Sequence, residues 1–195
     1  MTQVALAGRP TLVDQFITRT LATDAALVIG AAAFVGIAAQ VAVPLWPVPI
    51  TGQTLAVLLV GSALGAVRGS IAMVVYALMG IVGLPVFSDA SSGLGVIAGP
   101  TGGYIIGFIF SAALVGWVAE RAGDRKFVGA ILAFGAGTVV TFVLGMIWLA
   151  AVLGLNFEQT LQAGLYPFII GGVVKSLLAA AAIPLVWRAV TRTKK

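Results

Sequence analysis

Cysteine and histidine are both absent from this chain of 195 residues. Their absence excludes disulfide frameworks, thiolate or imidazole metal sites, imidazole bases and cysteine nucleophiles, which removes most catalytic chemistry. Charge is scarce as well: 9% of the residues are charged, against 61% hydrophobic. Soluble domains carry roughly 25% charged residues. A mean hydropathy of +1.14 therefore places the chain in a bilayer. The opening stretch MTQVALAGRPTLVDQFITRT contains Asp14 and no long apolar core before a small-residue cleavage site. It reads as a short amphipathic lead-in and not as a cleaved signal peptide.

What is present falls into long uncharged runs. Residues Ala25 to Val67 form 43 consecutive uncharged positions, too many for a single span of about 20 residues. Pro44, Pro47 and Pro49 interrupt the run. The pattern predicts an all-α integral membrane protein, one membrane domain over 1–195, with a lead-in at 1–24 and a tail at 188–195. Its six transmembrane helices are expected at about 25–43, 52–67, 70–86, 101–119, 127–153 and 165–187.

Six spans leave both termini on one side, and the basic residues say which. Arg9, Arg19, Arg68, Arg121, Arg125, Lys126, Arg188, Arg192, Lys194 and Lys195 all fall on that side, ten of the eleven. The alternate loops, 44–53, 87–100 and 154–164, hold no basic residue and two acids, Asp89 and Glu158. Positive-inside bias predicts cytoplasmic termini and a multi-pass protein of the cytoplasmic membrane. It also accounts for the net charge of +5 without a nucleic-acid partner.

Lys175 is the exception, with eleven uncharged residues before it (Gly164–Val174) and twelve after it (Ser176–Trp187). With a helix starting near Leu165, it lies ten residues, or roughly 15 Å, from either end, beyond the reach of a snorkelling lysine. One reading pairs it with a buried acid that locks two helices together, but no Asp or Glu falls inside an expected span. The other reading presents its ammonium to an anionic ligand in a cavity.

Glycine is plentiful, with 25 residues, and recurs at i, i+4 in Gly61, Gly65, Gly69 and in Gly99, Gly103, Gly107. Such rows serve close helix packing. Ala32 and Gly36 form a similar flat face that suits either a neighbouring helix or a partner protein. The segment GLPVFSDASSGLGVIAGPTGGY, residues 83–104, is longer than a connection requires, which suggests a lid or binding loop. Gly93, Gly95 and Gly99 imitate a dinucleotide loop, but no strand precedes them, and GGVVKS at 171–176 lacks the Gly-Lys pair of a phosphate loop.

PVPITGQTLAVLLVG (47–61), GLPVFSDASSGLGVIAGPTGGYIIGF (83–108) and the lysine of IIGGVVKSLLAA (169–180) together resemble the BioY family. Its members are biotin-binding substrate components of energy-coupling-factor transporters. The resemblance implies a six-helix membrane domain with an outward-facing biotin pocket, capped by the loops after the first and third helices. It also implies a transmembrane coupling subunit and two cytoplasmic ATPases as partners, and no cofactor. On that resemblance Lys175 would meet the biotin carboxylate. Phe87, Tyr104 and Trp46 would line the ring, while Asp89, Ser88 or Gln53 would satisfy the ureido group. Gly102 and Gly103 belong to the same expected site. Gln53 also suits a role as hydrogen-bonding glue between helices. One departure is visible: the family motif Gly-Asp-x-x-Lys has Gly172 in place of the acid, with Asp89 as the substitute if its loop folds over the pocket.

Two other classes remain on the residues alone. A stand-alone proton-coupled transporter of biotin or another anionic vitamin calls for an intramembrane acid or histidine. A Ser-Lys intramembrane hydrolase would have to use Lys175 with Ser176, adjacent residues that face different sides of a helix.

Overall fold

The structure is a computed structural model that describes residues 10–193, with side chains as far as Val190. The first helix, α1 (Leu21–Ala39), begins before the expected Ala25 because Thr20 and Thr23 cap each other reciprocally. Thr20 Oγ1 accepts from the Thr23 N–H at 3.1 Å and Thr23 Oγ1 accepts from the Thr20 N–H at 2.9 Å. Asp24 therefore stands in the first turn of α1 and not in the lead-in.

The proline cluster folds as a small hairpin, not as a plain loop. Strands β1 (Ala42–Val43) and β2 (Ile50–Thr51) pair antiparallel, Ala42 opposite Thr51 and Val43 opposite Ile50. The second and third helices are shorter than expected: α2 (Gln53–Leu64) and α3 (Ala66–Ile81) meet at Gly65 alone. Gly65 has φ +86°, and a Cβ there would lie 2.5 Å from the Glu120 carboxylate, so only glycine suits this turn. Arg68 accordingly belongs to the start of α3 and not to a loop.

The segment expected as a lid has structure of its own. After a 3-10 turn at Ser88–Ala90 comes α4 (Leu94–Ala98), followed by α5 (Gly102–Glu120). Helix α6 (Phe127–Leu153) has the bounds expected from the sequence, and a short α7 (Phe157–Gly164) follows it. The last helix, α8 (Ile169–Thr193), starts after the expected Leu165, because a 3-10 turn at Tyr166–Phe168 redirects the chain. It also continues through most of the expected tail.

Thus α1, α2, α3, α5, α6 and α8 stand for the six expected spans. Four stretches among the described residues are long and apolar enough to cross a membrane: α1, α5, α6 and the run Phe157–Val190 that includes most of α8, while α2 and α3 are shorter apolar helices. Helix α5 is central, packed against α2, α3 and α6. Small residues permit this: a Cβ on Gly61 would lie 2.8 Å from the Ala112 carbonyl oxygen, and one on Gly107 would lie 3.0 Å from Thr141 Cα. Ala32 is fully buried and a Cβ on Gly36 would touch Val86 at 3.2 Å. The flat face of α1 is thus covered by the chain itself.

At the end of the bundle opposite the hairpin, charges that hydropathy leaves unassigned meet one another. Asp14 accepts from Arg19 and from Arg68 Nη2 at 2.7 Å, and Arg68 Nη1 reaches Asp24 at 3.1 Å. Arg125 donates to the Pro10 carbonyl at 3.1 Å and lies 4.0 Å over the Trp187 ring of α8. Lead-in residues therefore pack on the bundle: Thr11 is 1% exposed. Burial pushes the Asp14 carboxyl up, but hydrogen bonds from Arg19, the Thr11 backbone and Arg68 outweigh it and hold the carboxyl well below the usual carboxylate range. Arg9, Lys194 and Lys195, together with the Arg192 side chain, lie outside the described residues.

Candidate functional site

A cavity of about 350 Å³ opens at the hairpin end. The hairpin supplies Pro47, Val48, Pro49, Ile50 and Thr51, and the start of α2 supplies Gln53 and Thr54. The lid segment contributes Phe87, Ser88, Asp89 and Ser91, together with residues from Gly95 to Thr101. Tyr104, Ile105 and Phe108 of α5, Phe142 of α6, Phe168, and Gly172 and Lys175 of α8 complete the wall. A mostly apolar wall with a few polar groups is the usual build of a small-molecule site, and the volume lies in the range of roughly 300–1,000 Å³ typical of one.

Lys175 sits six residues into α8, about 9 Å along it at 1.5 Å per residue. It is shallower in its helix than the expected helix start at Leu165 implies, and the hairpin and lid supply the cover. Its Nζ donates to the Thr51 carbonyl and to Thr54 Oγ1, the latter at 3.2 Å. Both acceptors are neutral, and no ion pair to Lys175 occurs among the described residues. An ammonium has three hydrogens; these contacts use two and leave one for a ligand. Ser176 is turned elsewhere, its hydroxyl 3.2 Å from Thr138 Oγ1 of α6. No Ser-Lys pair forms.

Gln53 joins the cavity wall to a neighbouring helix. It lines the cavity and also ties helices together, donating from Nε2 to the Tyr76 hydroxyl of α3 and accepting at Oε1 from Thr51 Oγ1 at 2.8 Å. Phe87 is 1% exposed; its ring meets that of Tyr76 edge to face, with centroids 5.5 Å apart. Gly80 of α3 makes room for it, since a Cβ there would lie 2.0 Å from Phe87 Cζ. Ser88 Oγ is buried in the cavity wall without a hydrogen-bond partner, a group free to serve a ligand.

Asp89 and Ala90 both have positive φ, 56° and 53°, a conformation uncommon outside glycine. Gln40, at the end of α1, holds this turn: its Nε2 donates to the Phe87 carbonyl at 3.0 Å and its Oε1 accepts from the Ala90 N–H at 3.0 Å. Asp89 is thereby placed in the cavity wall. Tyr104 contributes its ring, packed with Phe142 at 5.8 Å and Phe168 at 6.5 Å. Its hydroxyl is already committed to the Gly164 carbonyl at 2.8 Å.

Three expected positions do not line the cavity. Trp46 stands in the hairpin loop, turned outward and 86% exposed. Gly102 and Gly103 act in packing: a Cβ would lie 1.7 Å from the Ile97 carbonyl oxygen in the first case and 2.2 Å from Trp148 Cβ in the second. Conversely, sequence reasoning missed Thr51, Thr54, Phe108, Phe142, Phe168 and the turn-holding Gln40. The motif PVPITGQT contained the signal for the two threonines, each within two residues of Gln53. The phenylalanines are indistinguishable from lipid-facing ones in the sequence.

The BioY family model matches residues 9–192 of this chain. A protein named biotin transporter BioY from Rhizobium etli is 40% identical over 141 residues, 69% of this chain and 75% of that protein. Biotin transporter BioY2 from Lactococcus lactis subsp. cremoris is 32% identical over 164 residues, covering 84% and 90% of the two chains. Among solved structures, the S-component for biotin from an ECF-type ABC transporter has the same fold, with a TM-score of 0.79 over 88% of this chain and 95% of that one, at 23% identity. This chain, a multi-pass membrane protein, belongs to the BioY family.

Proposed function

We propose that this protein captures biotin from outside the cell, as the substrate-binding subunit of an energy-coupling-factor transporter in the cytoplasmic membrane. The observation that carries the reading is Lys175, an ammonium held by neutral acceptors in the wall of a mostly apolar cavity. Such a group favours an anion, and a ligand with a carboxylate on an aliphatic chain meets it while its ring system occupies the aromatic part of the cavity. Ser88, Asp89 and Gln53 are the proposed partners of the ureido group, with the rings of Phe87 and Tyr104 against the bicycle. The names of the relatives support the same ligand.

The test is saturable binding of radiolabelled biotin to the purified protein in detergent, with other vitamins as competitors and recovery of the ligand unchanged. Absence of saturable binding, or displacement by an unrelated vitamin at equal concentration, sinks the reading. Partners are proposed as a transmembrane coupling subunit and two cytoplasmic ATPases, because the chain has no phosphate loop of its own. In liposomes the protein alone should bind biotin without concentrating it, and adding those subunits and ATP should permit accumulation. Accumulation by the lone chain under a pH difference alone contradicts this.

A further inference from the structure

Tyr76 of α3 is fully buried and is not part of the cavity wall, yet a continuous set of contacts links it to Lys175. Its hydroxyl oxygen accepts from Gln53 Nε2, Gln53 Oε1 accepts from Thr51 Oγ1 at 2.8 Å, and the Thr51 carbonyl accepts from Lys175 Nζ. Thr51 and Gln53 flank the single residue, Gly52, where β2 runs into α2. Fixing the Gln53 side chain on both ends therefore fixes the direction in which the Thr51 carbonyl faces. A buried carboxamide must have both ends satisfied, and Tyr76 is the partner that holds the Nε2 end. A lysine ammonium is a point charge on a flexible stem, so its location is set by the acceptors around it.

We infer that Tyr76 is a positioning residue for anion recognition. Through Gln53 and Thr51 it holds the Lys175 ammonium where the third hydrogen serves the ligand carboxylate, without touching the ligand itself. The same ring packs edge to face on Phe87, so one buried side chain supports both the cation and the lid wall of the cavity. This rests on the reading of Lys175 as the partner of the biotin carboxylate.

Tyr76→Phe separates the two roles, since it keeps the ring against Phe87 and removes only the acceptor for Gln53. Binding of biotin and of biotin amide, which lacks the charge, is measured on the natural protein and on variants of confirmed monodispersity in detergent. Tyr76→Phe should weaken biotin about tenfold, the scale of a hydrogen bond to a charged group. It should change the amide by less than about twofold, and in a Lys175→Met background it should change biotin equally little. Equal losses for both ligands, or no loss for biotin, overturn the inference. Should Tyr76→Phe fail to fold, Thr51→Val, which keeps the side-chain shape and the backbone carbonyl but removes the hydroxyl donor to Gln53 Oε1, is put through the same comparison: a loss selective for biotin supports the inference and an equal loss overturns it. A natural protein that binds no biotin at all overturns the proposed function instead. One that prefers biotin to its amide, with Tyr76→Phe weakening both alike, overturns the positioning role alone.

Discussion

Lys175, half-buried at the cavity, and Asp124, fully buried at the other end of the bundle, are ionisable groups with opposite consequences. If Lys175 pairs with a ligand carboxylate, Lys175→Met should cost on the order of 2–5 kcal/mol of biotin binding, because the carboxylate is left buried and unpaired. Arginine should not restore it fully, its planar fork being larger and different in reach. Biotin amide should bind the natural protein weakly and lose little more on Lys175→Met, and simple addition of the two losses in equilibrium binding would place Lys175 in a structural role. Asp124 is fully buried in the turn between α5 and α6; Ser62 donates to one oxygen and the other has no partner. Burial pushes its carboxyl up, and the Ser62 hydroxyl, the residue's own backbone N–H and the Arg125 charge offset this only in part. A carboxyl raised above its unfolded value of about 3.9 favours the folded state least once pH exceeds the folded value. The contribution of Asp124 to stability should therefore fall as pH rises from acid toward neutrality. Asp124→Asn should be indistinguishable from the natural protein near pH 4 and more heat-stable near pH 8, read by tryptophan fluorescence in detergent; the reverse order at pH 8 contradicts the assignment.

Between elements, one close constraint on the cavity is the fit of Phe87 against α3. Phe87 reaches the cavity wall only because Gly80 offers no side chain beneath its ring. Gly80→Val should overpack this contact, at a cost of about 1–3 kcal/mol in stability, and should weaken biotin binding as Phe87 leaves the wall. Gly30→Ala in α1, where a Cβ meets nothing within 4 Å, is the neutral control. Thermal melts and ligand titrations that do not distinguish the two variants would refute the fit. Gln40 works from the other side, joining the end of α1 to Phe87 and Ala90, so the turn that carries Asp89 is held by two helices.

Across the whole molecule, the gathering of ten of the eleven basic residues on one side predicts that reporters fused to either terminus are cytoplasmic. Single cysteines at Ser91 and Gln159 should label with a membrane-impermeant reagent from outside, and labelling of Ser91 only after permeabilisation reverses the map. The amino-acid sequence by itself determined the class, the number of apolar helices, the bounds of α6, the anomaly of Lys175 and the interest of residues 83–104. These are legible because transfer into a bilayer is a property of each residue and its near neighbours, and a charge in an apolar run violates it visibly. The fold was needed for the hairpin over 42–51, the single-residue turn at Gly65, the outward turn of Trp46 and the commitment of the Tyr104 hydroxyl to Gly164. It also decided what surrounds the lysine: Thr51 lies 124 positions away from Lys175 in the chain, and Gln53 lies 23 from Tyr76. Such contacts depend on which helix faces meet, and hydropathy does not encode this, since a phenylalanine facing lipid and one facing a ligand satisfy the same solvent rule. The hydrogen-bond demands of buried polar groups select among the packings, and they can be satisfied only once the helices are together.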